Sequence, residues 1–152
     1  MSTLNLPGYD AKITAENGKR RIFDILRRTY VALTPEEWVR QHFINYLINA
    51  KGYPQSLMAN ETQIELNGMK LRCDTVVYDK NITPKAIIEY KAPTVTITQN
   101  VFAQVARYNL VLKVDYLIVS NGIKHYCCKM DYAANSFTFL QDIPDYKEII
   151  TP

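Results

Sequence analysis

The chain has 152 residues, 47% apolar and 22% charged, and carries a formal net charge of +3 at pH 7. That is enough chain for one domain with one packed core, and too apolar for a disordered segment. No apolar run approaches the ~20 residues needed to cross a bilayer, and the mild positive charge permits a nucleic-acid partner without demanding one.

In chain order, residues 1–16 read as an irregular arm broken at Pro7 and Gly8. Residues 18–30 read as a helix, with Ile22, Ile25 and Leu26 on one face and arginines on the other. Five cations, Lys19, Arg20, Arg21, Arg27 and Arg28, crowd into this stretch, and a phosphate contact is one use for them. Thr34-Pro35-Glu36-Glu37 is a helix start: Thr34 caps, Pro35 fits the first turn, and the acids suit the positive end of the helix dipole. That helix runs to about Ala50, where Lys51-Gly52-Tyr53-Pro54 stops it. Strands follow over about 61–66, 70–78 and 86–91, with Asn67-Gly68 as the hairpin signal between the first two. A helix over 98–113, a buried strand over 116–120, a turn at Asn121-Gly122 and a strand over 125–129 complete the pattern. The tail carries no clear periodicity. The reading is a single domain, with an arm and helix over 1–33, a core over 34–130 and a tail over 131–152. Its class is α/β, a mixed central sheet flanked by helices.

Cys73, Cys127 and Cys128 are odd in number, two are adjacent, and residues 1–16 lack the apolar stretch of a secretory leader. A reducing, cytoplasmic setting is the simplest reading. Neither His42 nor His125 stands at zinc-site spacing from them.

Two adjacent strands break local rules. Asp74 interrupts a β-branched run, where Asp is disfavoured. Glu89 and Lys91 close the apolar run Ala86-Ile87-Ile88, and residues two apart on a strand share a face. Charges at the end of a buried strand must be paired or hold a metal. Carboxylates from neighbouring strands suit Mg²⁺, a hard cation that takes oxygen ligands and keeps several waters, and Mn²⁺ is its natural substitute. A bound divalent cation polarises a scissile phosphate, and Lys91 stands ready to orient or deprotonate the attacking water and to offset developing charge. The bland reading of the trio is a structural ion pair at the end of a sheet.

Asp74 with Glu89-Tyr90-Lys91 resembles the motif of the PD-(D/E)xK nucleases, with Cys73 where that family often has Pro. Five segments narrow the resemblance to the N-terminal nuclease domain of type I restriction enzyme R subunits and its stand-alone relatives. They are 34–41 (TPEEWVRQ), 71–74 (LRCD), 88–93 (IEYKAP), 104–108 (QVARY) and 120–122 (SNG). The resemblance implies a restriction-endonuclease-like fold and Mg²⁺-dependent hydrolysis of DNA. Asp74 and Glu89 become metal ligands and Lys91 the catalytic lysine. An acid of the preceding helix assists the metal, with Glu36 preferred to Glu37 because it lies three before Val39 and seven before Phe43. Gln104 and Tyr108, four apart on one helix face, contact DNA or steady the site. Arg72 lines the DNA path or balances Asp74, and Arg40 pairs with Glu36 or faces DNA. R subunits join this domain to an ATP-driven motor, for which this chain has neither a phosphate-binding loop nor room. Any translocation needs a separate motor or restriction-modification subunit. Paired cuts in duplex DNA favour a homodimer. The competing reading is a catalytically inactive nucleic-acid- or partner-binding module of the same fold. A third is cleavage of RNA or modified DNA.

Overall fold

The computed structural model of the protein describes residues 1–152, the side chains of Leu66 and Tyr108 excepted. The chain opens on a small antiparallel sheet of β1 (Ile13–Glu16), β2 (Lys19–Asp24) and β3 (Thr29–Ala32). The helix expected over 18–30 is therefore wrong, and the arm over 1–16 ends in a strand. Asn17 and Gly18 both take positive φ, 52° and 74°, and close a two-residue turn that pairs Glu16 with Lys19. Such a turn matches the twist of a hairpin and starts no helix. Ile22 is fully buried as a strand residue, while Ile25 and Leu26 pack against the core from the β2–β3 loop. The apolar spacing that mimicked a helix spans a strand and a turn.

Helix α1 (Pro35–Ala50) follows, capped by Thr34, whose hydroxyl accepts the Glu37 N–H at 3.1 Å. Then comes the main sheet: β4 (Met58–Leu66), β5 (Met69–Tyr78), β6 (Pro84–Tyr90), β7 (Tyr116–Ser120), β8 (His125–Asp131) and β9 (Ser136–Leu140), in that spatial order. All pairs are antiparallel except β6–β7, which are parallel and joined through α2 (Gln99–Leu112). A parallel pair needs such a crossover. The tail supplies β9 and a last short helix, α3 (Tyr146–Ile150). The mixed α/β architecture is thus the expected one.

The central strands of the sheet are buried on both faces. Val39, Phe43 and Leu47 of α1 cover one side, against Val77, Ile88 and Ile118. Val105 of α2 covers the other, against Val76, Ile87 and Val119. The N-terminal arm straps across the α1 side: Asn5 donates its N–H to Gly122 O at 2.8 Å, and the Trp38 indole N–H reaches Ser2 O at 2.9 Å. No helix among the described residues is long and apolar enough to cross a membrane.

Candidate active site

Strand alternation brings the site together, and a flaw in it aims Asp74. Ala86, Ile88 and Tyr90 of β6 face α1, while Ile87 packs on the α2 side, so Glu89 shares its parity. On β5, Cys73 and Val76 both pack on the α2 side although they are three apart. Alternation therefore breaks between them, and Asp74 sits in the break. The residue opposite it on β4 is Glu61, whose φ of 56° is rare for a non-glycine residue in a strand. Backbone strain of this kind gathers at functional sites.

The cleft that results holds about 250 Å³ and is lined by Glu36, Glu37, Arg40, Glu61, Asp74 and Glu89. A larger hollow of about 480 Å³ lies between α2 and β8–β9, but its walls are mostly apolar, with Gln99 and Asn100 the polar exceptions. In the polar cleft, the Tyr90 N–H donates to Asp74 Oδ2 at 2.9 Å. Glu89 is 7% exposed, and its carboxyl lies within hydrogen-bonding reach of Asp74. The Lys91 ammonium stands 3.8 Å from Glu89 Oε1. Gln104, from α2, bridges the two: its Oε1 accepts from Lys91 at 3.4 Å and its Nε2 donates to Glu89 at 3.3 Å. The structure thus brings together Asp74, Glu89, Lys91 and Gln104.

Burial, and then the charge on Asp74, push the Glu89 carboxyl up to about 8, although Lys91 opposes the shift. Burial raises Asp74 as well. Two crowded carboxylates cannot both ionise cheaply, so they hold a shared proton. This donor set suits a small hard cation, which removes the repulsion when it displaces that proton. Among the described residues, no three Asp, Glu, His or Cys groups converge on one point. The set is a pair, to be completed by water or substrate, as Mg²⁺ tolerates.

The raised carboxyl has a stability consequence. A group whose folded pKa lies above its unfolded value stabilises the fold at low pH, and that contribution is lost as pH climbs from about 4.5 to about 8. Glu89→Gln, which cannot ionise, is therefore expected to melt several degrees above wild type at pH 8 in chelator. That corresponds to a gain on the order of 2 kcal/mol. The gap should close toward pH 5, as thermal melts across pH will check.

Two expectations change with the geometry. Glu36 is exposed at the rim, and Glu37 is the buried helix acid. Both lie in the first turn, but Glu37 alone meets Arg27 and Arg40 among the described ion pairs. Glu37 takes four hydrogen bonds, from Arg27, twice from Arg40, and from Gln41. Burial works against its ionisation, but these partners hold its carboxyl below the usual range. Arg40, expected to pair with Glu36 or face DNA, is 8% exposed and turned inward. It grips Glu37 with two donors, Glu61 Oε1 at 2.9 Å and Asp74 O at 3.1 Å. A guanidinium so engaged braces the site and is not offered to a phosphate. Arg72 is the converse case: its side chain is 63% exposed, with Glu61 3.4 Å away. The Tyr108 side chain lies outside the described residues. Glu61, which the sequence reading missed, lines the cleft opposite Asp74.

A polar chain runs beneath the site. Buried Asp24 accepts from Asn60, Asn60 accepts from Thr75 at 2.7 Å, and Thr75 accepts from the Tyr90 hydroxyl at 3.0 Å. Arg27 ties Asp24 to Glu37. Cys73, Cys127 and Cys128 are buried free thiols. His42 bonds the Trp38 carbonyl and His125 bonds Ser120, so neither joins the cleft.

Residues 35–144 match the family model of the type I restriction enzyme R protein N terminus. No curated protein sequence matches the chain. Among solved structures, it is similar in fold to a fragment assigned to the HsdR subunit of a type I restriction enzyme from Vibrio vulnificus YJ016. The two share 17% identity at a TM-score of 0.56, over 77% of this chain and 24% of that one. This chain spans about a quarter of that fragment's length.

Proposed function

This chain belongs to the family of type I restriction enzyme R protein N termini, a restriction-enzyme nuclease-like domain, and from that premise we propose that it is a Mg²⁺-dependent endonuclease hydrolysing DNA phosphodiester bonds. The observation that carries the reading is the close pair of half-buried Asp74 and buried Glu89, with the Lys91 ammonium beside it. Asp74 and Glu89 would hold the cation. The cation, when bound, supplies charge neutralisation at the scissile phosphate. Lys91 orients the attacking water and offsets charge on the phosphate oxygens. Gln104 keeps Lys91 and Glu89 at fixed separation through its two amide contacts. Exposed Arg72 faces the DNA path. Glu36 lines the cleft at its exposed rim.

The partners proposed are DNA and, for any translocation, a separate motor or restriction-modification subunit. A homodimer would supply the second active site for a double-strand cut. The buried free thiols suit the reducing cytoplasm.

Calorimetric titration with Mg²⁺ and Mn²⁺ tests the site before any substrate is known. Wild type should bind one cation and release close to one proton below pH 8, and Asp74→Ala should bind none. A panel of plasmid, linear, single-stranded and RNA substrates then tests the chemistry. No cation binding together with no cleavage of any DNA would end the reading. The second reading, a catalytically inactive binding module, draws on the absence of three converged metal-ligating groups among the described residues. It expects DNA binding that survives Asp74→Ala with no cleavage by either protein.

A further inference from the structure

The three-stranded sheet lies before the segment that the family model matches, and the reaction proposed above gives it no task. Its charge is the clearest feature. Between Lys12 and Arg28 stand six basic residues and two acids, while the remaining twelve basic and thirteen acidic residues nearly cancel. One of the six, Arg27, is committed to Asp24 and Glu37. The others are exposed.

Register sorts them by face. Ile22 and Asp24 of β2 are fully buried, so that side of the sheet points inward. Lys19, Arg21 and Phe23 alternate with them and point outward, joined by Lys12, Thr14 and one acid, Glu16, of the β1 side. On β3, Tyr30 stands opposite Phe23 on the same face. The two rings meet edge to face at 5.3 Å, and the Lys12 ammonium lies 5.6 Å from the Phe23 centroid. Tyr30 is 36% exposed. An exposed antiparallel sheet that sets an aromatic ring among cations can stack a base and neutralise the flanking phosphates.

The sheet is also rigidly placed. Asp24, Arg27 and Asn60 lock its inner face to the polar chain beneath the cleft, and Ala32 at its end lies two residues from Thr34 on the cleft wall. The cleft itself offers a polyanion little: Glu37, Glu61, Asp74 and Glu89 face Arg27, Arg40 and Lys91. A substrate with a negative backbone must be drawn in from elsewhere on the surface.

We propose that the outward face of the N-terminal sheet binds single-stranded DNA, with Lys12, Lys19 and Arg21 on the phosphates and Tyr30 under an unpaired base. The proposal rests on the DNA reading of the cleft and adds the form of DNA presented to it.

The test is fluorescence anisotropy of the full chain, in chelator, with a labelled DNA strand and its duplex. Melting curves confirm that each variant is folded. Lys19→Gln with Arg21→Gln should weaken strand binding about tenfold or more. The same change should flatten the slope of log K against log salt by about 1.4, the release expected of two phosphate contacts on a single strand. Tyr30→Ala should weaken strand binding about tenfold and leave duplex binding alone. Unchanged affinity and slope in the double variant would overturn the surface, as would wild type that binds no DNA. Equal losses on strand and duplex, with Tyr30→Ala silent, would overturn the single-strand assignment. Because no divalent cation is present, the outcome is separable from hydrolysis. Sheet-dependent binding without cleavage leaves this surface standing and sinks the hydrolase reading. Undiminished cleavage by the double variant does the reverse.

Discussion

Lys91→Ala is expected to abolish metal-dependent DNA cleavage, by about 10³-fold or more, in a protein that folds and melts like wild type. The activity loss follows from the lysine's place. Its backbone N–H is fixed to Ser120 O at 2.9 Å, just past the end of β6, and its ammonium is steered by Glu89 and Gln104. It is the cation best placed to meet charge developing on a phosphate beside the carboxylate pair, and removing a donor aimed at developing charge costs orders of magnitude in rate. The small stability effect follows from exposure. The Lys91 side chain is 24% exposed and its ion pair is loose, so the pair contributes at most about 1 kcal/mol. Gln104→Leu separates positioning from chemistry. It should lower kcat by about tenfold, since it frees Lys91 and Glu89 without deleting either. Undiminished cleavage by Lys91→Ala would remove the hydrolytic mechanism proposed for this site.

The central fold was legible because its signals are local. Thr34-Pro35 marks the start of α1, Asn67-Gly68 marks the β4–β5 hairpin, and the run 116–120 is apolar without interruption. Asp74, Glu89 and Lys91 were legible because each offends a propensity or a burial rule. The N-terminal sheet was misread although its signal has the same form: Asn17-Gly18 turns as Asn67-Gly68 does, both at positive φ. The apolar spacing of Ile22, Ile25 and Leu26 overrode it. Glu61 was also within reach. Counting back from the turn, Leu66 pairs with Met69 and Asn60 with Thr75, which sets Glu61 against Asp74. Glu36 against Glu37 is different in kind. Both lie in the first turn of α1, and what engages Glu37 beyond its own helix is Arg27, from a loop whose apolar spacing imitates a helix. Arg40 was misassigned for a different reason: besides Glu37 on its own helix, its partners come from β4 and β5, 21 and 34 residues away in sequence.

Arg40→Ala is expected to cost about 3–5 kcal/mol of stability at pH 7, far more than Arg72→Ala, which should stay within about 0.5 kcal/mol. Arg40 is 8% exposed and engages two carboxylates and a backbone carbonyl. Its removal leaves Glu37 buried with only Arg27 and Gln41, and Glu61 with only the exposed Arg72. A buried carboxylate stripped of its partner keeps its desolvation cost and loses what offset it. The sign with pH is fixed by Glu37, whose folded carboxyl lies below its usual range. That group stabilises the fold above its unfolded pKa, and the contribution is lost as pH falls through the folded value. The difference between wild type and Arg40→Ala should therefore be full at pH 7 and shrink as pH drops below about 4. Urea unfolding at several pH values reads this directly. A gap under about 1 kcal/mol at pH 7, or one that widens in acid, would mean the guanidinium does not brace the cleft. Asp74 would then owe its place to the β5 backbone alone, because Arg40 holds the Asp74 carbonyl and the opposing Glu61 at once.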